Sequence, residues 1–174
     1  MKKTVEFERA IEEMEWLRMA TLLDTEGSIQ ICKINAAVKF GCRVPNHHLQ
    51  VTVTNTDPRI PLWCKSVFGG SISFRRPPKA HHRKIYRWTV GCARAASILI
   101  GCLPYFLTKR DQAEIAIASR DTVRNVGGKG HTKETFLIRE MAYLRLQELK
   151  REEFDPTPAH AEVLAQLDVR STQK

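Results

Sequence analysis

The segment from Met19 to Ile31, MATLLDTEGSIQI, constrains this chain more than any other. An apolar helical pattern (Phe7, Ile11, Met14, Leu17, Met19, Leu22, Leu23) runs directly into Asp24, Glu26 and Gly27, and then into residues of strand type. The pattern predicts a helix over residues 4–25 that gives way to a strand almost at once. Carboxylates at a helix C-terminus meet the negative end of the helix dipole and lower its stability. Local conflicts of this kind concentrate at functional sites. Two readings are open here. In one, Gly27 is an ordinary C-cap and both acids are solvated. In the other, a divalent cation sits at the corner, because carboxylates and unpaired terminal carbonyls are both hard oxygen ligands.

Downstream, strands are expected over 28–39 and 49–55, with a turn around Gly41 and Pro45-Asn46. Asp57-Pro58 opens a second helix that stops at Gly69-Gly70. A further strand pair covers 71–76 and 83–90, divided by Pro77-Pro78. Helices follow over 94–102, broken near Pro104, then 111–124, and 132–152 after the Gly127–Gly130 loop. The order αββαββα predicts an α+β fold: one curved antiparallel sheet, helices on one face, the other face open as a saddle. We read residues 1–153 as one domain and 154–174 as a tail with at most a short helix at 159–168.

Alternation assigns the faces. Leu49, Val51 and Val53 oppose Gln50, Thr52 and Thr54; Ile72 and Phe74 oppose Ser71, Ser73 and Arg75; Tyr86, Trp88 and Val90 oppose Arg87. The polar set carries hardly any acid, whereas an ordinary solvated face mixes both signs. In the first strand Ser28, Gln30 and Cys32 share a face, but Lys33 and Asn35 fall on the other. A bulge or bend near Cys32-Lys33 is therefore expected. Ser28, Gln30 and Lys33, with Arg83 and Lys84 at the start of the fourth strand, join the open-face set.

The formal net charge of +9 points to a polyanionic partner, nucleic acid before acidic membrane. No apolar run approaches a membrane span, and the acidic start after Lys2-Lys3 does not read as a secretory signal. Five cysteines with no CxxC pair fit reduced thiols and an intracellular setting, in a bacterial or phage cytoplasm or an organelle. Cys42 with His47 and His48 lacks a second ligand pair at finger spacing, so no zinc site is assigned.

MATLLDTEG (19–27) resembles LAGLIDADG, the signature of the intron- and intein-associated homing endonucleases. Ala20, Leu22, Asp24 and Gly27 are identical to it, and Met19, Leu23 and Glu26 are conservative changes. VTNTDPRIPLW (53–63), VFGGSI (67–72), Tyr86-Arg87-Trp88 and LPYFLTKRDQA (103–113) resemble further blocks of the same family in the same order. The likeness covers roughly residues 12–145, and there is one copy of the signature.

The resemblance implies a metal-dependent, site-specific double-stranded DNA endonuclease. The last acid of the signature holds the catalytic metals, here Glu26, and we add the Thr25 carbonyl as a ligand to Mg²⁺. Asp24 matches an acid whose role in the family is structural. Lys109 matches a lysine near the active-site water. Asn55 and Arg59 match a polar strand end and a basic helix start that organise water around the metals. One signature supplies half a site, so the resemblance implies a homodimer on a pseudo-palindromic target.

Helical geometry separates a core stripe (Trp16, Met19, Ala20, Leu23) from an adjacent stripe for the dimer (Met14, Arg18, Thr21, Thr25). Small residues four apart let two backbones approach. The family has Gly or Ala where this chain has Thr21 and Thr25, a departure that bears on how closely two such helices cross. The alternative function is a catalytically inactive nucleic-acid binder, either an intron RNA maturase or a DNA-binding regulator.

Overall fold

The apolar period at Phe7 and Ile11 does not continue the signature's helix. In the computed structural model, which describes residues 7, 9–34, 46–75, 83–121 and 133–151, the first helix (α1, Glu13–Thr25) begins well after the expected residue 4. Its start is fixed by polar contacts: the Glu15 carboxylate accepts the Glu12 N–H at 3.1 Å and pairs with Arg9. Phe7 instead packs edge-on against Trp16 and Phe68, with ring centroids 5.8 and 6.2 Å away. These residues serve the core from a lead-in segment.

The remaining elements follow the expected order: β1 (Gly27–Ile34), β2 (Asn46–Asn55), α2 (Arg59–Phe68), β3 (Ser71–Arg75), β4 (Ile85–Gly91) and α3 (Cys92–Cys102). A 3₁₀ turn (Leu103–Tyr105) leads to α4 (Arg110–Asp121) and α5 (Lys133–Leu149). Pro104 lies in that turn, where its missing N–H and fixed φ end α3. The expected turn at Gly41 and Pro45, the Pro77-Pro78 and Gly127–Gly130 loops, Cys42 and the 154–174 tail lie outside the described residues.

All strand pairs are antiparallel, in the order β1-β2-β4-β3. One face is apolar and packs on the helices: Ile29, Val51, Val53 and Trp88 are fully buried with Met19 and Leu23 of α1, Phe68 of α2, and Ile98 and Leu99 of α3. The Trp88 indole N–H donates to the Gly69 carbonyl at 2.7 Å, so its buried polar atom is satisfied. Gly69 ends α2 with φ +70, and a Cβ there would lie 1.8 Å from an Arg94 guanidinium nitrogen. The positive φ is what favours glycine there, since the Arg94 side chain can swing aside.

The bulge expected in β1 is absent. Residues from Gly27 to Ile34 pair one-to-one with Val53 to Asn46. Period 2 therefore holds, and Lys33 shares the helix-facing side with Ile29 and Ile31. Its ammonium meets Glu140 Oε1 at 2.7 Å and lies 5.8 Å above the Tyr143 ring. Lys33 belongs to the α5 contact, not to the open face on which it was expected. Glu140 also meets His47 Nε2 at 2.8 Å, while Phe136 and Tyr143 pack on the His47 ring, so α5 is seated across β1 and β2.

Candidate active site and nucleic-acid surface

β1 begins one residue after Glu26, and the chain there passes very close to the helix it has left. A Cβ on Gly27 would sit 2.5 Å from Leu23 Cα, so the corner needs glycine for approach. The signature's glycine is thus what lets helix and strand share a corner.

The conflict between Asp24 and the helix dipole is resolved by another helix. Its carboxylate accepts the N–H groups of Leu107 (2.8 Å), Thr108 (3.2 Å) and Lys109 (2.9 Å), and the Thr108 hydroxyl at 2.9 Å. These residues lead directly into α4, so the charge at the negative end of α1 also stands at the positive end of α4. Burial pushes the Asp24 carboxyl up, but the four hydrogen bonds outweigh it and hold the group below the usual carboxylate range.

Glu26 is the exposed C-cap of α1, its own N–H donating to the Leu22 carbonyl at 2.9 Å. The Asn55 amide, at the end of β2, donates to Glu26 Oε2. Asn55 Oδ1 in turn accepts the Asp57 N–H at 2.8 Å, and Asp57 pairs with Arg59 through Nε at 3.0 Å and through the Arg59 N–H at 2.9 Å. Hydrogen bonding to the Arg59 side chain, then to its N–H, holds the Asp57 carboxyl down at about 2.

Three expected residues, Glu26, Asn55 and Arg59, are therefore joined in one polar chain through Asp57. Sequence reasoning missed that link, although Asp before Pro58 is a turn-initiating pair whose carboxylate commonly bonds the backbone two residues on.

Lys109 reaches the same corner from beneath. Its ammonium donates to the carbonyl oxygens of Leu23 (2.5 Å) and Gly27 (2.8 Å), bridging α1 to β1 around Glu26. Partial burial pushes it below the ordinary lysine range, with Asp24 opposing the shift.

The expected dimer stripe lies on the surface of α1: Met14 is 63% exposed, and Leu17, Arg18, Thr21 and Thr25 are exposed beside it. The Thr21 and Thr25 hydroxyls donate back to the carbonyls of Leu17 and Thr21, each at 2.9 Å. Both hydroxyl protons are thus committed within the helix, which leaves only acceptor lone pairs for a facing surface. Arg18 leans 5.4 Å over the Trp63 ring of α2.

The open side of the sheet collects the other expected residues. The register aligns Ser28 with Thr52 and Thr89, Gln30 with Gln50, Thr54 with Arg87 and Ser73, and Arg75 with Ile85. Ser71 is opposite Thr89, and exposed Arg83 and Lys84 lead into β4. No carboxylate points to this side from the described strand residues.

For a divalent metal, one copy offers the Glu26 carboxylate and the Thr25 carbonyl of the last helical turn. Among the described residues, no three His, Cys, Asp or Glu side chains cluster as a complete metal site. The donors are hard oxygens that suit Mg²⁺, but they are too few in one chain. His47 and His48 point to opposite faces of β2, so they cannot share a zinc ion.

Neither a protein-family profile nor a curated protein matches the sequence. Solved structures do. The homing endonuclease I-CvuI, in complex with its target in the presence of Ca, matches at 16% identity and TM-score 0.63, covering 90% of this chain and 96% of that one. The archaeal intron-encoded homing endonuclease I-Vdi141I, complexed with DNA, matches at 13% identity and TM-score 0.65, covering 91% and 97%. The group I intron-encoded homing endonuclease I-CeuI, complexed with DNA, matches at 13% identity and TM-score 0.58, covering 87% and 74%. These likenesses establish architecture: the chain has the fold of the homing endonucleases whose signature its sequence resembles.

Proposed function

We propose that this protein is a homodimeric, metal-dependent endonuclease that cuts double-stranded DNA at a pseudo-palindromic site. The observation that carries the reading is the position of Glu26. It is exposed at a corner where the exposed stripe of α1 (Met14, Arg18, Thr21, Thr25), suited to a second copy, meets a cationic sheet face without acids among the described strand residues. Two copies related by a two-fold axis along α1 bring two Glu26 carboxylates and two Thr25 carbonyls together, with phosphate and water completing the ligand shell.

Bound Mg²⁺ supplies a Lewis acid for the scissile phosphate and lowers the pKa of the attacking water. The residues of this chain orient the rest. Asn55 holds one oxygen of the exposed Glu26 carboxylate. Arg59, with its side chain 87% exposed, offers a cation to the DNA backbone beside that acid. The Lys109 ammonium fixes a positive charge behind the corner, where it offsets charge building on the phosphate. Sheet residues Ser28, Gln30, Gln50, Thr52, Thr54, Ser71, Ser73, Arg75 and Arg87 read base edges, while Arg83 and Lys84 neutralise phosphates. Residues 1–153 form the nuclease unit, and 154–174 are an appendage to it.

A second reading, a catalytically silent binder of DNA or intron RNA on the same scaffold, draws support from Lys109. Both carbonyls it engages belong to its own chain, as a structural lysine would require. A plasmid carrying the uninterrupted gene around the host intron separates the two. The endonuclease produces linear DNA in Mg²⁺ and none in EDTA; a silent binder shifts the same duplex on a gel and never cuts it.

A further inference from the structure

Helix α5 is apolar on two opposite sides, and the sheet occupies one of them. On that side Phe136 and Tyr143 pack on the His47 ring, Glu140 meets Lys33 and His47, and Leu146 is fully buried. On the other side Ile138, Met141 and Leu144 are exposed, Met141 by 69%. A surface helix ordinarily carries one apolar stripe, so a second stripe calls for a second partner. These three side chains, with Ala142 of α5 and Ile115 and Ala118 of α4, line a groove of about 560 Å³. Arg145 and Glu148, paired with each other at 3.3 Å, form its polar edge. From Ile138 to Glu148 the helix advances about 15 Å, which sets the length of the groove.

The chain leaves α5 at the Glu148 end of this groove. Arg151 donates its N–H to the Glu148 carbonyl at 2.8 Å, and residues 152–174 continue from there. Pro156 and Pro158 oppose a single helix running on from α5. Residues 152–158 can span at most about 25 Å, ample to turn back across the roughly 10 Å between packed helix axes. The stretch that follows, 159–168, is the one whose sequence reads as a short helix. At 3.6 residues per turn Val163, Leu164 and Leu167 share one arc, with Glu162 and Asp168 outside it. Ten helical residues measure about 15 Å, the length of the groove.

Charge agrees with this occupant. Residues 152–169 hold Glu152, Glu153, Asp155, Glu162 and Asp168 and no Lys or Arg, in a chain whose net charge is +9. Lys150 and Arg151 stand exposed at the end of α5 where that acidic segment begins. The segment joining α4 to α5 is a poorer match, because 122–132 contains three glycines and only Val123 and Val126 as large apolar residues.

We propose that the α4–α5 groove is the docking site of the chain's own residues 159–168, which lie in it as an amphipathic helix with Val163, Leu164 and Leu167 against Ile138, Met141 and Leu144. Docked there, the segment ties α5 to α4. It thereby braces β1 and β2 from the side on which Glu140 seats α5. The inference does not rest on the nuclease reading, and cleavage is not its readout.

The test uses the full chain with the photo-reactive residue p-benzoylphenylalanine in place of Met141. Irradiation, a denaturing gel and mass spectrometry of the tryptic digest identify what lies in the groove. The expected product has the mass of one chain and joins the peptide 140–145 to the peptide 152–170. The same probe in place of Leu62, an exposed apolar residue of α2, should not reach that peptide. Leu164→Asp with Leu167→Asp should abolish the product. Without the probe, this pair should lower Tm by roughly 4–8 °C, as expected when two leucines leave an apolar contact. A product of two-chain mass would make a second copy the occupant and overturn the proposal. Absence of the tail peptide from the product, equal capture by the Leu62 probe, or a leucine-to-aspartate pair that melts as wild type would each overturn it as well.

Discussion

Asp24 accepts the backbone N–H of Lys109 at 2.9 Å, and this bond joins the end of α1 to the start of α4. The same lysine sends its ammonium back to the carbonyls on either side of Glu26, at Leu23 and Gly27. The corner that presents Glu26 is therefore clamped by a carboxylate and an ammonium whose charges stay on the protein side.

Asp24→Asn should lower stability at pH 7 by about 1–3 kcal/mol, since it weakens charge-assisted bonds to three N–H groups and a hydroxyl. The pH dependence has a defined sign. The folded-state pKa lies below the ordinary value of 3.8, so the stabilisation is present above that value and is lost as pH falls through the folded pKa. Thermal melts between pH 2.5 and 7 should show wild type losing stability below about pH 4 and the variant following a flatter curve. Identical melting at pH 7 would remove Asp24 from the clamp.

Lys109→Met should slow cleavage roughly a hundredfold or more, the scale of losing one donor that stabilises the transition state. DNA affinity should change little, as the Lys109 ammonium is turned to carbonyls of its own chain and makes no phosphate contact of its own. Cleavage rate and gel-shift affinity measured on the same preparation decide this. Weakened affinity with an unchanged rate would make Lys109 a backbone contact.

Thr25→Arg should convert the dimer to a monomer, because a two-fold axis along α1 sets the new cation against its own copy. Cutting should be lost although no proposed ligand side chain has changed. Mixing with Thr25→Asp should restore assembly and activity. Ultracentrifugation of each variant and the mixture provides the readout, and a Thr25→Arg sample that sediments as wild type would place the interface elsewhere.

Much of this architecture is legible in the sequence because its signals are local. Alternation in β2, Pro58 and Gly69-Gly70 around α2, and Pro104 after α3 each act within a few residues. Where the reading fails, partners far along the chain decide. Phe7 and Ile11 continue a helical period, yet Phe7 is drawn onto Trp16 and Phe68, and α1 starts only at Glu13. Lys33 looked like an open-face cation at a bulge, but its partner, Glu140, comes from α5. At the candidate site, the acids of the signature were visible, whereas their division of labour was not. The four bonds to Asp24 come from residues 107–109, and Asp57 joins Asn55 to Arg59 only once β2 and α2 are folded together.

Glu26→Gln is the most direct test of the account, assayed for cleavage of the target plasmid in Mg²⁺ and for binding of the same duplex. The amide keeps the shape of the side chain and its contact with Asn55 but no longer offers an anionic oxygen to a metal. The account predicts wild-type linearisation in Mg²⁺, none by the variant, and near-equal affinity for both. A Glu26→Gln protein that cuts the plasmid at the wild-type rate would contradict it.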